Sequence, residues 1–161
     1  MFYTVIKRMK TFKPILRSLL FFFLFSVASF CCNKIETDDT LNKKDKAFIR
    51  SLRLLDKDEK IYKFYSEYKK RVAGNFFTDE RMASYWIDEK DEDKNKIEFA
   101  YYSDIVSIDT VYYAGLTYCP YMMVKKTDST QFKVCVEGKR EDIKAFFEDA
   151  LRLWKQKRLV R

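Results

Sequence analysis

Chemistry needs side chains that attack, trade protons, hold a metal or grip a charge, and this sequence offers few of them. It has no histidine. That removes Ser-His and Cys-His nucleophile pairs, imidazole metal ligands and a histidine general base. Its three glycines, Gly74, Gly115 and Gly138, lie far apart, so no glycine-rich phosphate loop can form. Two thiols, Cys119 and Cys135, without histidine do not make a zinc site. The acids Asp88, Glu89, Asp91, Glu92 and Asp93 are dense enough for a calcium loop. They lack its glycine at the sixth position and its glutamate at the twelfth, and read as a solvated hairpin tip. Asp104 and Asp109 lie five apart on one expected strand and so face opposite sides. What remains is a run of three bases, Lys69, Lys70 and Arg71, a candidate loop for an anionic ligand. The expectation is a chain with no catalytic residues, no metal and no cofactor.

The 161 residues suffice for one ordinary domain. Thirty-two bases against 24 acids give a net charge of +8. The excess is concentrated at one end. Residues 1–31 hold five bases (Lys7, Arg8, Lys10, Lys13, Arg17) and no acid, which leaves the remainder at only +3. The basic balance is therefore weak support for a polyanion partner, and no nucleic acid is expected.

The basic start is followed by 15 uncharged residues, Ser18 to Cys32 (SLLFFFLFSVASFCC), and then by Asn33-Lys34. A membrane-spanning helix needs about 20 apolar residues, so this run has the length of a signal peptide's apolar region. Met9, which opens MKTFKPILR, is a second candidate start. The end of the run resembles the lipobox of bacterial lipoproteins, in which the signal is cut before a cysteine that takes diacylglycerol. Cys32, preceded by Ser29, Phe30 and Cys31, fits better than Cys31, which would follow Phe30 directly. An ordinary cut after Ala28 and an uncleaved anchor are the other readings. All of them put the rest of the chain outside the cytoplasm, because the basic end stays inside.

Beyond residues 1–31, residues 32–46 carry eight charges and few apolar side chains, and are read as a flexible tether. Residues 47–57 are read as a short amphipathic helix with Phe48, Ile49, Leu52 and Leu55 on one face, capped by Asp45. From Asp58 the pattern turns to short runs rich in Tyr, Phe, Val and Ile, as strands prefer. Seven strands are expected: 59–66, 71–78 (with Gly74-Asn75 as a bend or bulge), 81–88, 96–102, 105–113, 119–126 and 131–137. A helix follows over 140–157, where Ile143, Phe146, Phe147, Ala150, Leu151 and Trp154 recur at helical spacing. If Thr127 pairs with Thr130, Cys119 and Cys135 point to opposite faces and form no disulfide; a register changed by one residue would reopen the question.

Two steps in this pattern resemble those of bacterial pleckstrin-homology-like domains. One is Phe77-Thr78-Asp79-Glu80-Arg81-Met82, a step into the third strand. The other is Tyr102-Ser103-Asp104-Ile105-Val106-Ser107-Ile108. The resemblance covers about residues 58–157. It implies a mainly β fold, a seven-stranded open barrel with a C-terminal α-helix over residues 58–158. It also implies a binding or scaffolding module rather than an enzyme, with Lys69, Lys70 and Arg71 where some members hold anionic headgroups. An NTF2-like or lipocalin-like half-barrel holding a small ligand is the alternative. The functional expectation is a lipid-anchored protein of the bacterial envelope, membrane-bound through its N-terminal lipid, that binds an envelope protein or a headgroup.

Overall fold

The computed structural model describes residues 35–115 and 118–159; the expected signal peptide and Cys31 and Cys32 lie outside the described residues. The described chain is mainly β, with two antiparallel sheets and a C-terminal helix. Strands β1 (Ile61–Tyr65), β2 (Ala73–Thr78), β3 (Arg81–Trp86) and β4 (Lys96–Tyr101) form a four-stranded meander in that order. Strands β5 (Ile105–Val111), β6 (Tyr121–Lys126) and β7 (Gln131–Cys135) form a second, three-stranded meander. The chain passes from β4 to β5 through a 3-10 turn, Tyr102–Asp104, and the two sheets do not close into one barrel. Helix α1 spans Lys43–Ser51 and helix α2 spans Arg140–Leu159.

Between the sheets lies the main core. The concave face of the first sheet contributes Tyr65, Phe77, Met82 and Ala100. The second sheet contributes Ile105, Met122, Val124, Phe132 and Val134. Helix α2 closes one end with Ile143, Phe146, Phe147, Ala150, Leu153 and Trp154. Phe146 sets its ring edge against Phe77 at 5.1 Å between centroids, a favourable arrangement for aromatic quadrupoles. The helix is also pinned by charge. Lys63 donates to the Ala145 carbonyl and pairs with Asp149 at 2.7 Å, and Lys157 reaches Glu80 at 3.0 Å.

A second core lies on the other face of the first sheet, and it corrects the reading of residues 32–46. From Ile35 onward this segment is not a tether. Glu36 exchanges both backbone hydrogen bonds with Phe64, Asp38 N–H donates to the Ile61 carbonyl, and Leu41 is buried. Four of its charges are spent on partners: Lys46 pairs with Asp38, and Glu36 and Asp45 both pair with Lys70. The first helix, expected over 47–57, starts four residues earlier and ends at Ser51. Asn42, not Asp45, caps it, accepting from the Asp45 N–H at 2.8 Å. Ile49, Leu54 and Leu55 then pack on Phe64, Phe76, Ala83 and Tyr85. Strand β2 is covered on both faces, and all six of its residues are buried.

Gly74 and Asn75 make no bend. They sit in regular register opposite Tyr85 and Ser84. Glycine is needed there because the Tyr85 ring lies across it: a Cβ on Gly74 would meet the ring at 2.4–2.6 Å. The Tyr85 hydroxyl donates to the Lys70 carbonyl, which holds the ring in place. Strand β4 has its apolar face outward. Ile97, Phe99 and Tyr101 lie on the side away from the main core, and only Ala100 of the strand is buried.

The step Thr78–Arg81 is a tight turn. The Thr78 hydroxyl oxygen accepts from the backbone N–H groups of Glu80 and Arg81. The Arg81 side chain, 1% exposed, crosses to the N-terminal segment. There its Nε and Nη2 donate to the two oxygens of Glu59 at 2.9 and 2.7 Å, and Nη2 also reaches Asp56. Its guanidinium packs on the rings of Tyr101 and Phe99 at 4.5 and 5.3 Å. The motif residues are thus a structural clamp.

Candidate functional site

Helix α2 plugs one end of the space between the sheets. Moving away from it, the concave face of the first sheet changes character row by row. The row Phe77–Met82–Ala100 is core. The next row, fixed by the β2–β3–β4 register, is Asn75–Ser84–Glu98, and beyond it come Trp86 and Lys96. These polar residues floor an open groove of about 1050 Å³. Its opposite wall is the edge of the second sheet, with Met123, Gln131, Lys133 and Cys135.

The two walls meet at one hydrogen bond: the Cys135 N–H donates to Asn75 Oδ1 at 2.9 Å. Asn75 is 5% exposed and lines the groove floor. Trp86 is 42% exposed. Lys133 folds over the Tyr121 ring at 4.5 Å, so its ammonium is held at the rim. At the same rim, burial together with the neighbouring Glu137 raises the Glu67 carboxyl above its ordinary range. Four carboxylates and three lysines line the groove, which leaves its field close to balanced.

No protein-family model matches the chain, and no curated protein matches it. Among solved structures it is similar to a DUF1696 family protein with a pleckstrin-homology domain from Shewanella loihica PV-4. The two are 9% identical with a TM-score of 0.45, over 73% of this chain and 97% of that one.

The three bases singled out in the sequence do share the β1–β2 loop, but they do not act as one patch. Lys70 turns inward to pair with Glu36 at 2.5 Å and with Asp45 at 3.3 Å. Partial burial pulls its pKa down, but these two carboxylates outweigh that and hold it above the ordinary lysine value. Lys69 leans towards Glu89 at 3.8 Å and over the Tyr68 ring, and Arg71 is exposed. The acids of 88–93 serve their own loop: Asp88 accepts from the N–H groups of Lys90 and Asp91, and Asp91 caps the 3-10 turn Glu92–Lys94.

One expectation about chemistry is overturned. Cys119 and Cys135 form a disulfide, with their Cα atoms 5.8 Å apart. The β6–β7 register explains it. Lys125 pairs with Gln131 and Tyr121 with Cys135, one residue off the pairing of Thr127 with Thr130. Ser129 adopts a left-handed conformation (φ 68°) and supplies the extra turn residue. With Tyr121 opposite Cys135, Cys119 falls on the same face as Cys135.

The groove residues themselves were missed by sequence reasoning. Asn75, Ser84 and Glu98 come from three strands, and each reads alone as a polar interruption or a solvent-side residue. Their adjacency is a product of register. The one available signal was Ser84, a polar residue between apolar Met82 and Trp86 on one face of β3.

Proposed function

We propose that this chain is a non-catalytic binding module of pleckstrin-homology-like architecture. It is held in the bacterial envelope by a lipid on Cys32 (alternatively Cys31) and engages an envelope component through the groove between its sheets. The observation that carries this reading is the filled interior. Tyr65, Phe77, Met82, Met122, Phe132 and Phe146 occupy the space between the sheets, where a half-barrel for a small ligand would need an enclosed apolar pocket. Recognition is left to the surface, where the groove offers a concavity of about 1050 Å³. The Cys119–Cys135 disulfide supports placement outside the cytoplasm, since such bonds persist in oxidising compartments. The headgroup reading of Lys69, Lys70 and Arg71 is the weaker one, because Lys70 is committed to Glu36 and Asp45.

Site-specific photo-crosslinking in intact cells tests the groove. A photoreactive side chain at Trp86 should form a discrete adduct with one envelope component, and the same probe at Lys144, on the exposed side of α2, should not. Equal adducts from both sites, or none from Trp86, would overturn the proposal.

A further inference from the structure

The lining of the groove also defines a ligand class, an inference that rests on the reading of the groove as the binding site. Its carboxylates and lysines nearly cancel, so it does not select strongly for a polyanion or a polycation. What it presents is neutral hydrogen-bonding capacity beside an aromatic face. Asn75 is the sharpest element. Its oxygen is fixed by the Cys135 N–H, which leaves the two N–H donors of its amide as the groups it can offer a ligand at the groove floor. Next to it in the same cross-strand row stands the Ser84 hydroxyl, which both donates and accepts, and then the Glu98 carboxylate, which accepts. Trp86 lies two residues along β3 from Ser84, on the same face and half exposed.

A row of donor, donor–acceptor and acceptor beside an indole plate matches a ring that carries hydroxyls on its rim and C–H groups on its face. We propose that the groove binds a neutral oligosaccharide. A pyranose stacks on Trp86, and its hydroxyls are read by Asn75, Ser84 and Glu98. The volume lies at the upper end for ligand sites and the groove is open, which suits a chain of several rings rather than one.

The test uses the full chain in a detergent without sugar headgroups. The protein has two tryptophans, so the Trp154→Phe variant makes Trp86 the sole reporter. Cellohexaose and chitohexaose are the probes. Either should protect Trp86 from acrylamide quenching in a saturable way and independently of salt. Calorimetry should show affinity about tenfold or more weaker in Trp86→Ala and in Glu98→Gln, two exposed positions whose substitution leaves the core intact. No saturation with either sugar by about 10 mM, affinity unchanged in both variants, or binding lost on raising salt would each overturn the inference. If sugars fail while the Trp86 photo-adduct is still formed with a protein, the binding module stands and the saccharide falls.

Discussion

Replacing Arg81 with alanine should be among the most damaging single changes in the domain. The guanidinium makes a two-pronged contact with Glu59, whose side chain is 2% exposed, and a further contact with Asp56. Its removal leaves the Glu59 carboxylate buried with the Thr78 hydroxyl and the Asp56 N–H as its remaining partners. Breaking a buried pair from one side costs about 3–5 kcal/mol, against a total of about 5–15 kcal/mol for a domain. At roughly 3–5 °C per kcal/mol for this size, the melting temperature should fall by about 10–25 °C. Removing both charges together (Arg81→Met with Glu59→Leu) should recover much of the loss, because no buried charge is then left alone. Arg81→Lys should remain impaired, since an ammonium replaces neither the fork nor the stack on Tyr101. Urea denaturation followed by circular dichroism measures all four proteins. A cost below about 1 kcal/mol for Arg81→Ala, or a double variant no better than the single, would refute the clamp.

Gly74→Ala should destabilise by about 1–3 kcal/mol through collision with the Tyr85 ring, and Tyr85→Leu in the same chain should relieve it; chemical denaturation of the two variants decides. Lys70→Glu should cost about 1 kcal/mol by setting a third carboxylate beside Glu36 and Asp45, whereas Lys69→Glu should leave thermal stability unchanged. Asp149 is raised by partial burial, but hydrogen bonds from Lys63 and Arg152 outweigh that and hold it below its ordinary value. Its contribution is therefore present above the ordinary aspartate range and lost as pH falls through the depressed value. Asp149→Asn should accordingly melt lower than wild type at neutral pH and converge with it in strong acid. Cys32→Ala should move the protein from the membrane fraction to the soluble fraction or stall its processing, and mass spectrometry of an unmodified mature N-terminus beginning at Ser29 would sink the lipid anchor.

The strands and the terminal helix were legible because their burial is one-sided. In β7, Phe132 and Val134 alternate with exposed Gln131 and Lys133, and in α2 the buried residues keep helical spacing. The pattern failed where a second layer intervened. Strand β2 is buried throughout and shows no alternation to read. The apolar side of β4 pointed away from the main core because Phe99 packs with the N-terminal layer. That layer was illegible for a related reason. Its eight charges suggested solvation, yet Glu36, Asp38, Asp45 and Lys46 are consumed in pairs that hold Leu41 and Ile49 against the sheet. Composition counts charges and cannot count their partners. The groove depends on three strands meeting in one register, which no single stretch of sequence carries.

The bond between Cys119 and Cys135 makes the alignment of the β6–β7 hairpin chemically readable. A slip of one residue would send the two sulfurs to opposite sides of the sheet, and the pair could not close. The bond therefore acts as a proofreading mark. A chain that has closed it has the hairpin in phase, and with it the Cys135 N–H that seats Asn75. A chain out of phase keeps two thiols open to alkylation. A quality-control thiol chemistry acting on this protein would thus discriminate, with one covalent test, between chains that have built the groove wall and chains that have not.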